Sequence, residues 1–537
     1  MKTSTKSNNL VFLLSSIYFV QGAVIITGLA EFFLTRNIFE FSWIQIALLS
    51  ALGTLTWSVK PLYGFVTDLL PLGGYRRKSY LILSAILPFC AYFYLAFFGV
   101  NFLQIALSLI LINIGIGFAD VIIDGLIVET APPEKVGLYQ SFCWRAKAIG
   151  IFIATLFSGI ILERKIFSQI LNSETIINLQ KIFPQAFPDI LEITNINIID
   201  IRFTFLLAGV LPLSTLIVSF FLKEKKISKS QLQKNKKNIS KTYLISALLA
   251  FILTIITLIS TSTIKSQIIP FLKNDQLSSL LLIIIWTSWI SFYTNHLIKI
   301  KAASSALVFA GIFLFLWRFT PRFGAPWNDY FLNTLQLSQE KMGLISSITP
   351  LAWIIGSFIY NKYFNSVKIK NILFWTVITS SLLGILQLPL ASPELAEKLG
   401  SLTFIKYPAA LFLLPAYLIT YNTSAWTELM TQSPIIHLEA FLSLGLEIVF
   451  MIAFLPLFRL AALVTPKGVE ATNFAILASI MNLGLAFGSV SGGIIYTYIE
   501  GSYNFINISF NGLHLTILIG ALTSLACLAV LPKINLK

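Results

Sequence analysis

Long apolar runs alternate with short polar connections from residue 10 to residue 532, and each run is close to the roughly 20 residues that a membrane-spanning helix needs. In the first half the pattern predicts helices at 10–34, 42–62, 79–99, 102–128, 138–162 and 202–222. In the second it predicts 243–263, 277–298, 303–320, 340–361, 370–391, 403–422, 436–463, 470–497 and 512–532. The short alternating segments of an outer-membrane barrel are absent. Lys60, Arg76, Arg77 and Lys78 follow the second run, Lys135, Arg145 and Lys147 the fourth, and KEKKISKSQLQKNKKNISK (223–241) the sixth. Short basic connections stay in the cytoplasm, which puts the even-numbered helix ends and the amino terminus, with Lys2 and Lys6, on that side.

Nine runs in the second half are too many for a symmetric chain. The pair at 243–298 returns to the basic side at Lys299 and Lys301, so it inserts without inverting the helices downstream of it. If 403–422 spanned, residues 423–435 would be cytoplasmic, yet no Lys or Arg occurs between Lys406 and Arg459. That segment is therefore expected to be re-entrant, interfacial or packed outside the bundle. The predicted domains are a six-helix bundle over 1–222 with an external loop at 163–201, a basic connector at 223–242, an inserted hairpin at 243–302, and a second six-helix bundle over 303–537. Both termini fall in the cytoplasm.

Composition agrees: 56% of residues are hydrophobic and 11% charged, against about 25% charged in soluble domains. The net charge of +15 is concentrated in the connections, where it orients helices and can hold anionic lipid, so a nucleic-acid partner is not implied. Cys90, Cys143 and Cys527, and His296, His437 and His514, are scattered, which predicts no metal site and no cofactor. There is no GxxxxGK[ST] and no nucleophile–base set, so neither a nucleotide-driven pump nor an enzyme is expected. MKTSTKSNNL leads straight into the first apolar run, as a retained signal anchor would. The expected home is a bacterial inner membrane, with an organelle envelope as the alternative.

The fold class is therefore an all-α polytopic membrane protein, and two six-helix halves resemble the major facilitator superfamily, whose substrate site lies between the halves near the midplane. IVETAPPEKVGLYQSFCWRAKAIG (127–150) and AALVTPKGVEATNFAILASIMNLG (461–484) repeat one layout in the two halves. KPLYGFVTDLLPLGGYRRKSY (60–80) resembles that superfamily's cytoplasmic gate, with Lys60, Gly64, Asp68, Arg76 and Arg77 as gate residues. Its spacing, with ADVIIDGLIVE (119–129), LYQSFCWRAKAIG (138–150), FLFLWRFTP (313–321) and PKGVEATNFAILASIMNLG (466–484), resembles the folate-biopterin transporter family. The match covers most of the chain apart from 163–201, 243–298 and 392–436, and the hairpin and RFGAPWNDY (322–330) depart from the family pattern.

The chemistry concentrates in FADVIIDGLIVET (118–130). A charge at mid-bilayer costs at least about 2.5–3.5 kcal/mol, so Asp120, Asp124 and Glu129 need a use. Asp120 and Asp124 share a helix face, and Glu129 lies toward the cytoplasmic end. A close carboxylate pair suits proton coupling, and a single carboxylate can accept the adjacent N–H donors of a pterin. Arg145 and Lys147 are the expected partners of these acids, or receivers of a glutamate tail, and a purely structural ion pair is the competing reading. Trp144 and Trp317 could stack on a heterocycle; Arg318 is either an interface anchor or an anion ligand. The resemblance further implies that Glu447 lies near the cavity. The expected function is a monomeric, proton-coupled, alternating-access symporter of folate, pterin or a similar anionic heterocycle. A carrier of another small metabolite (amino acid, peptide or nucleoside-like cofactor) and a non-transporting assembly factor stand as alternatives.

Overall fold

The computed structural model describes residues 2–130, 136–188, 192–193, 196–222, 305–364, 366–464, 470–505 and 508–534, with isolated stretches of 223–304. Among the described residues, eleven helices are long and apolar enough to cross a membrane, joined by two shorter apolar helices, Trp43–Trp57 and Val308–Arg318. The first helix (Val11–Ile38) changes winding along its length, passing through a 3-10 turn at Val24–Thr27 and a π turn at Phe33–Ile38. The second (Trp43–Trp57) starts on a capping box in which Ser42 and Gln45 satisfy each other's backbone N–H groups. It breaks at Ser58–Val59, where Pro61 opens a new helix, Lys60–Leu69. The third (Lys78–Phe98), fourth (Phe102–Thr130), fifth (Val136–Glu163) and sixth (Ile198–Phe221) complete the first half.

The seventh helix is broken: Ser305–Arg318 ends at the Thr320-Pro321 step, and Gly324–Asp329 resumes it. The eighth (Gln339–Phe364), ninth (Ile369–Ala391), tenth (Pro434–Val464), eleventh (Glu470–Ile499) and twelfth (Gly512–Lys533) come after it. A β-hairpin, Ser502–Phe505 with Ile508–Asn511, joins the last two.

Lipid gives little hydrophobic drive between helices, so close backbone approach has to supply the packing. Gly22 and Gly150 do this for the first and fifth helices: a Cβ on either would collide with the other helix's backbone, at Lys147 and Phe19 respectively. Gly159 and Gly343 do the same between the halves, where the fifth helix lies on the eighth. The second helix packs on the eleventh, with Trp43 edge-on to Tyr496 at 5.3 Å. Three polar links bind the halves near these contacts. Arg164 Nε donates to Glu340 at 2.9 Å, Trp43 Nε1 to Glu500 at 2.8 Å, and Arg36 sits 3.6 Å from Asp329. All lie at the ends remote from the Lys/Arg-rich connections.

Most of the connector 223–242 and of the pair at 243–298 lies outside the described residues. Within the pair, Trp286 and Trp289 donate through Nε1 to Thr254 (3.0 Å) and Ser246 (3.2 Å), so the two apolar stretches lie against each other. Residues 403–422 form the helix Thr403–Tyr421. Lys406 donates to the Met430 carbonyl at 3.0 Å, and Arg164 to that of Thr420 at 3.2 Å. Arg164 thus ties the last turn of this helix to the end of the bundle that carries Glu340, and Gly400, just before its start, packs on Pro434 at the start of the tenth helix.

Candidate functional site

The fourth helix presents Asp120 and Asp124 to the interior. Asp120, buried at 5% side-chain exposure, is ion-paired to Lys60 at 2.5 Å, and Asp124 accepts from the Tyr18 hydroxyl at 2.8 Å. Lys60 is delivered by the break in the second helix, which directs the first residue of the new helix back toward the fourth. Lys147, from the fifth helix, is an electrostatic neighbour of both aspartates and stands over the rings of Trp144 (5.2 Å) and Trp57 (5.5 Å). Trp57 is fixed by donating to Asn113 at 2.9 Å, while Asn482 of the other half donates to the Trp57 carbonyl at 3.1 Å.

Opposite lies an aromatic wall. Trp144 meets Phe454 of the tenth helix edge-on at 5.9 Å, Phe454 stacks with Phe450 at 5.7 Å, and Phe450 stacks with Trp317 at 5.4 Å. Trp353 donates to Glu447 at 2.7 Å and leans on Phe450 at 6.2 Å. The Arg318 guanidinium lies over Trp317 and Phe450, at 5.5 and 5.7 Å. Acids with two lysines on one half, an arginine with a glutamate on the other, and aromatic faces between them make a site with two electrical poles. A flat, partly charged solute fits such a site.

The structure brings Asp120, Asp124, Trp144 and Lys147 together, and Trp317, Arg318 and Glu447 together. Two expectations change. Arg145 does not partner the acids: it stands over Phe358 of the other half at 4.8 Å and over Phe142 at 5.8 Å, because its position on the fifth helix turns it away from the fourth. Lys60, expected at the gate, is on Asp120. Gly64 is no point of forced approach either, since a Cβ there would meet Val121 at an ordinary 3.7 Å. The side chains of Asp68 and Glu129 lie outside the described residues.

Arg77 donates to Thr67 at 3.0 Å, tying the third helix to the extension of the second. The backbone N–H groups of Arg76, Arg77 and Lys78 converge on the carboxylate of Glu224, at 2.8–3.1 Å. A carboxylate at a helix start satisfies donors that have no partner within the helix and meets the positive end of its dipole. Sequence reasoning missed Tyr18, Trp57, Trp353, Phe450 and Phe454. Aromatic residues are 14% of the chain, so nothing local distinguishes cavity-lining rings from lipid-facing ones.

With its two helical halves and an interior site between them, the protein has the fold of major facilitator transporters. It is similar to a crystal structure of a POT family transporter in complex with 5-aminolevulinic acid, at a TM-score of 0.60 and 15% identity, covering 98% of this chain and 96% of that one. The sequence profile of the BT1 family matches residues 21–177, 194–392 and 440–535, and the chain belongs to that family. Relatives include the folate-biopterin transporter of Synechocystis, 24% identical over 97% of this chain and 80% of that protein. Another is probable folate-biopterin transporter 4 of Arabidopsis thaliana, 24% identical over 90% of this chain and 87% of that protein. The expected resemblance is borne out, and the protein is a multi-span membrane transporter of a small molecule, not an enzyme. The profile runs across the inserted hairpin but breaks at 393–439, the region of helix Thr403–Tyr421.

Proposed function

We propose that the protein is a proton-coupled symporter of a folate or pterin. The observation that supports this best is where the two aspartates stand: Asp120 is ion-paired to Lys60, and Asp124 accepts from the Tyr18 hydroxyl, whose ring lies against Trp144 at the edge of the aromatic wall. Asp124 is therefore the carboxylate placed to accept the adjacent N–H donors of a pterin, with Trp144, Phe454 and Trp317 stacking on the ring. Proton exchange at the same carboxylate couples binding to the gradient. The names of the relatives supply the substrate class.

On this reading the basic connections are cytoplasmic, the face closed by Arg164–Glu340, Trp43–Glu500 and Arg36–Asp329 is the outer one, and the structure is the inward-facing half of the cycle. Helix Thr403–Tyr421 then lies along the outer surface, since its last turn is tied to Arg164 and Gly400 before it packs on Pro434 there. A bacterial inner membrane and a monomer complete the proposal. The test is uptake of labelled folate and of a simple pterin into cells expressing the chain, with and without an inward proton gradient, alongside Asp124→Asn. Gradient-dependent uptake abolished by the substitution is the expected result; uptake indifferent to the gradient rules out proton coupling, and none by correctly inserted protein rules out the substrate class.

A further inference from the structure

Arg322 lies in the break of the seventh helix, between Arg318 and Gly324, roughly 10 Å along the chain from Asp329 at the closed face. Its backbone is built into the bundle: its N–H donates to the Gly488 carbonyl at 3.0 Å, and its own carbonyl lies against Gly492, where a Cβ would collide with it. The side chain is nevertheless exposed. An arginine at membrane depth has to face water or a counter-charge, because in hydrocarbon it would cost several kcal/mol. Its electrostatic neighbours are Arg318 and Glu447, both of the central site, so the guanidinium lies on the side of that site.

One carboxylate, Glu447, stands near both arginines, so the pair keeps an excess of positive charge. Among the described residues no ion pair includes Arg318 or Arg322, Glu447 takes its hydrogen bond from Trp353, and the buried Nε of Arg318 has no partner. Two guanidiniums sharing one nearby carboxylate, with Arg318 lying on an aromatic platform, form a receiver for an anion. The lysines of the other half are differently placed: Lys60 is consumed by Asp120, and Lys147 sits among rings beside the two acids.

We infer that Arg322, with Arg318, is the anion-binding pole of the substrate site, and that it takes the carboxylates of an elongated substrate whose ring end lies toward Asp124 and Trp144. This rests on the folate reading for the identity of the ring, and not for the anion. It moves the tail from Arg145 and Lys147 to the second half, so the substrate bridges the two halves and its binding energy is available to bring them together.

The test uses the purified full-length protein and three probes: N-(4-aminobenzoyl)-L-glutamate as the tail, 6-hydroxymethylpterin as the ring, and folate. For Arg322→Gln, tail and folate binding should weaken at least tenfold while ring binding stays within twofold. Arg322→Lys, which keeps charge but loses the bidentate fork, should fall between. The inference is overturned if the tail binds Arg322→Gln as tightly as wild type, if the wild type binds no tail, or if ring and tail weaken together in both variants. Tail binding that depends on Arg322 in a protein that binds neither ring nor folate would leave the anion pole standing and remove the folate reading.

Discussion

Arg164 on the fifth helix and Glu340 on the eighth are joined across the two halves by a 2.9 Å hydrogen-bonded ion pair, directly beside the glycine contact of Gly159 with Gly343. Arg164 also donates to the Thr420 carbonyl, so a single side chain ties both halves and the helix Thr403–Tyr421. Because Glu340 is almost fully buried, removing Arg164 takes the counter-charge from a buried carboxylate, whereas Arg164 without Glu340 keeps solvent and the Thr420 carbonyl.

Glu340→Gln should therefore favour opening of this face. Maleimide labelling of a cysteine introduced at Thr155, with the native cysteines replaced, should rise several-fold, and the exchange Arg164→Glu with Glu340→Arg should bring it back toward the starting rate. Unchanged labelling in Glu340→Gln would show that the glycine contact alone keeps the face shut.

The buried pair of Lys60 and Asp120 should behave differently from Asp124. Asp120→Asn leaves an uncompensated lysine and should lower stability by about 3–5 kcal/mol, visible as a lower Tm, with most of the loss recovered in Lys60→Met/Asp120→Asn. Asp124→Asn keeps a hydrogen-bond partner for Tyr18 and should leave Tm within a few degrees while abolishing uptake.

The aromatic wall should act on affinity. Trp144→Ala or Trp317→Ala removes a ring that contacts Phe454, at 5.9 and 6.3 Å respectively, and should raise KM for a planar substrate about tenfold, at about 1.4 kcal/mol per tenfold. Trp144→Phe should restore most of it. A fall in kcat with KM unchanged would instead assign Trp144 to the conformational step.

Glu224→Gln should weaken the start of the third helix, where three backbone N–H groups share one carboxylate. Loss of the charge at a helix start costs about 0.3–1 kcal/mol, and the amide retains a single acceptor oxygen, so a drop in Tm of a few degrees is expected. Hydrogen exchange at Arg76–Ser79 should quicken while the fourth helix stays protected.

Most helix positions, the multi-span membrane setting and the burial of Asp120 on the fourth helix were legible in the sequence, because each depends on local quantities: run length, period and a charge where hydrocarbon is expected. Partner choice was not local. Lys60 reaches Asp120 because the second helix breaks at Ser58–Val59, and Arg145 misses the acids through the rotation of the fifth helix, neither of which a run of apolar letters records. The aromatic wall joins rings from the fifth, seventh, eighth and tenth helices, and only the packing separates them from the many rings that face lipid. Sequence alone determined which residues had to be expensive to bury. The tertiary structure decided which partner each of them meets, as Asp120 meets Lys60, because an ion pair is a relation between helices and not a property of either one.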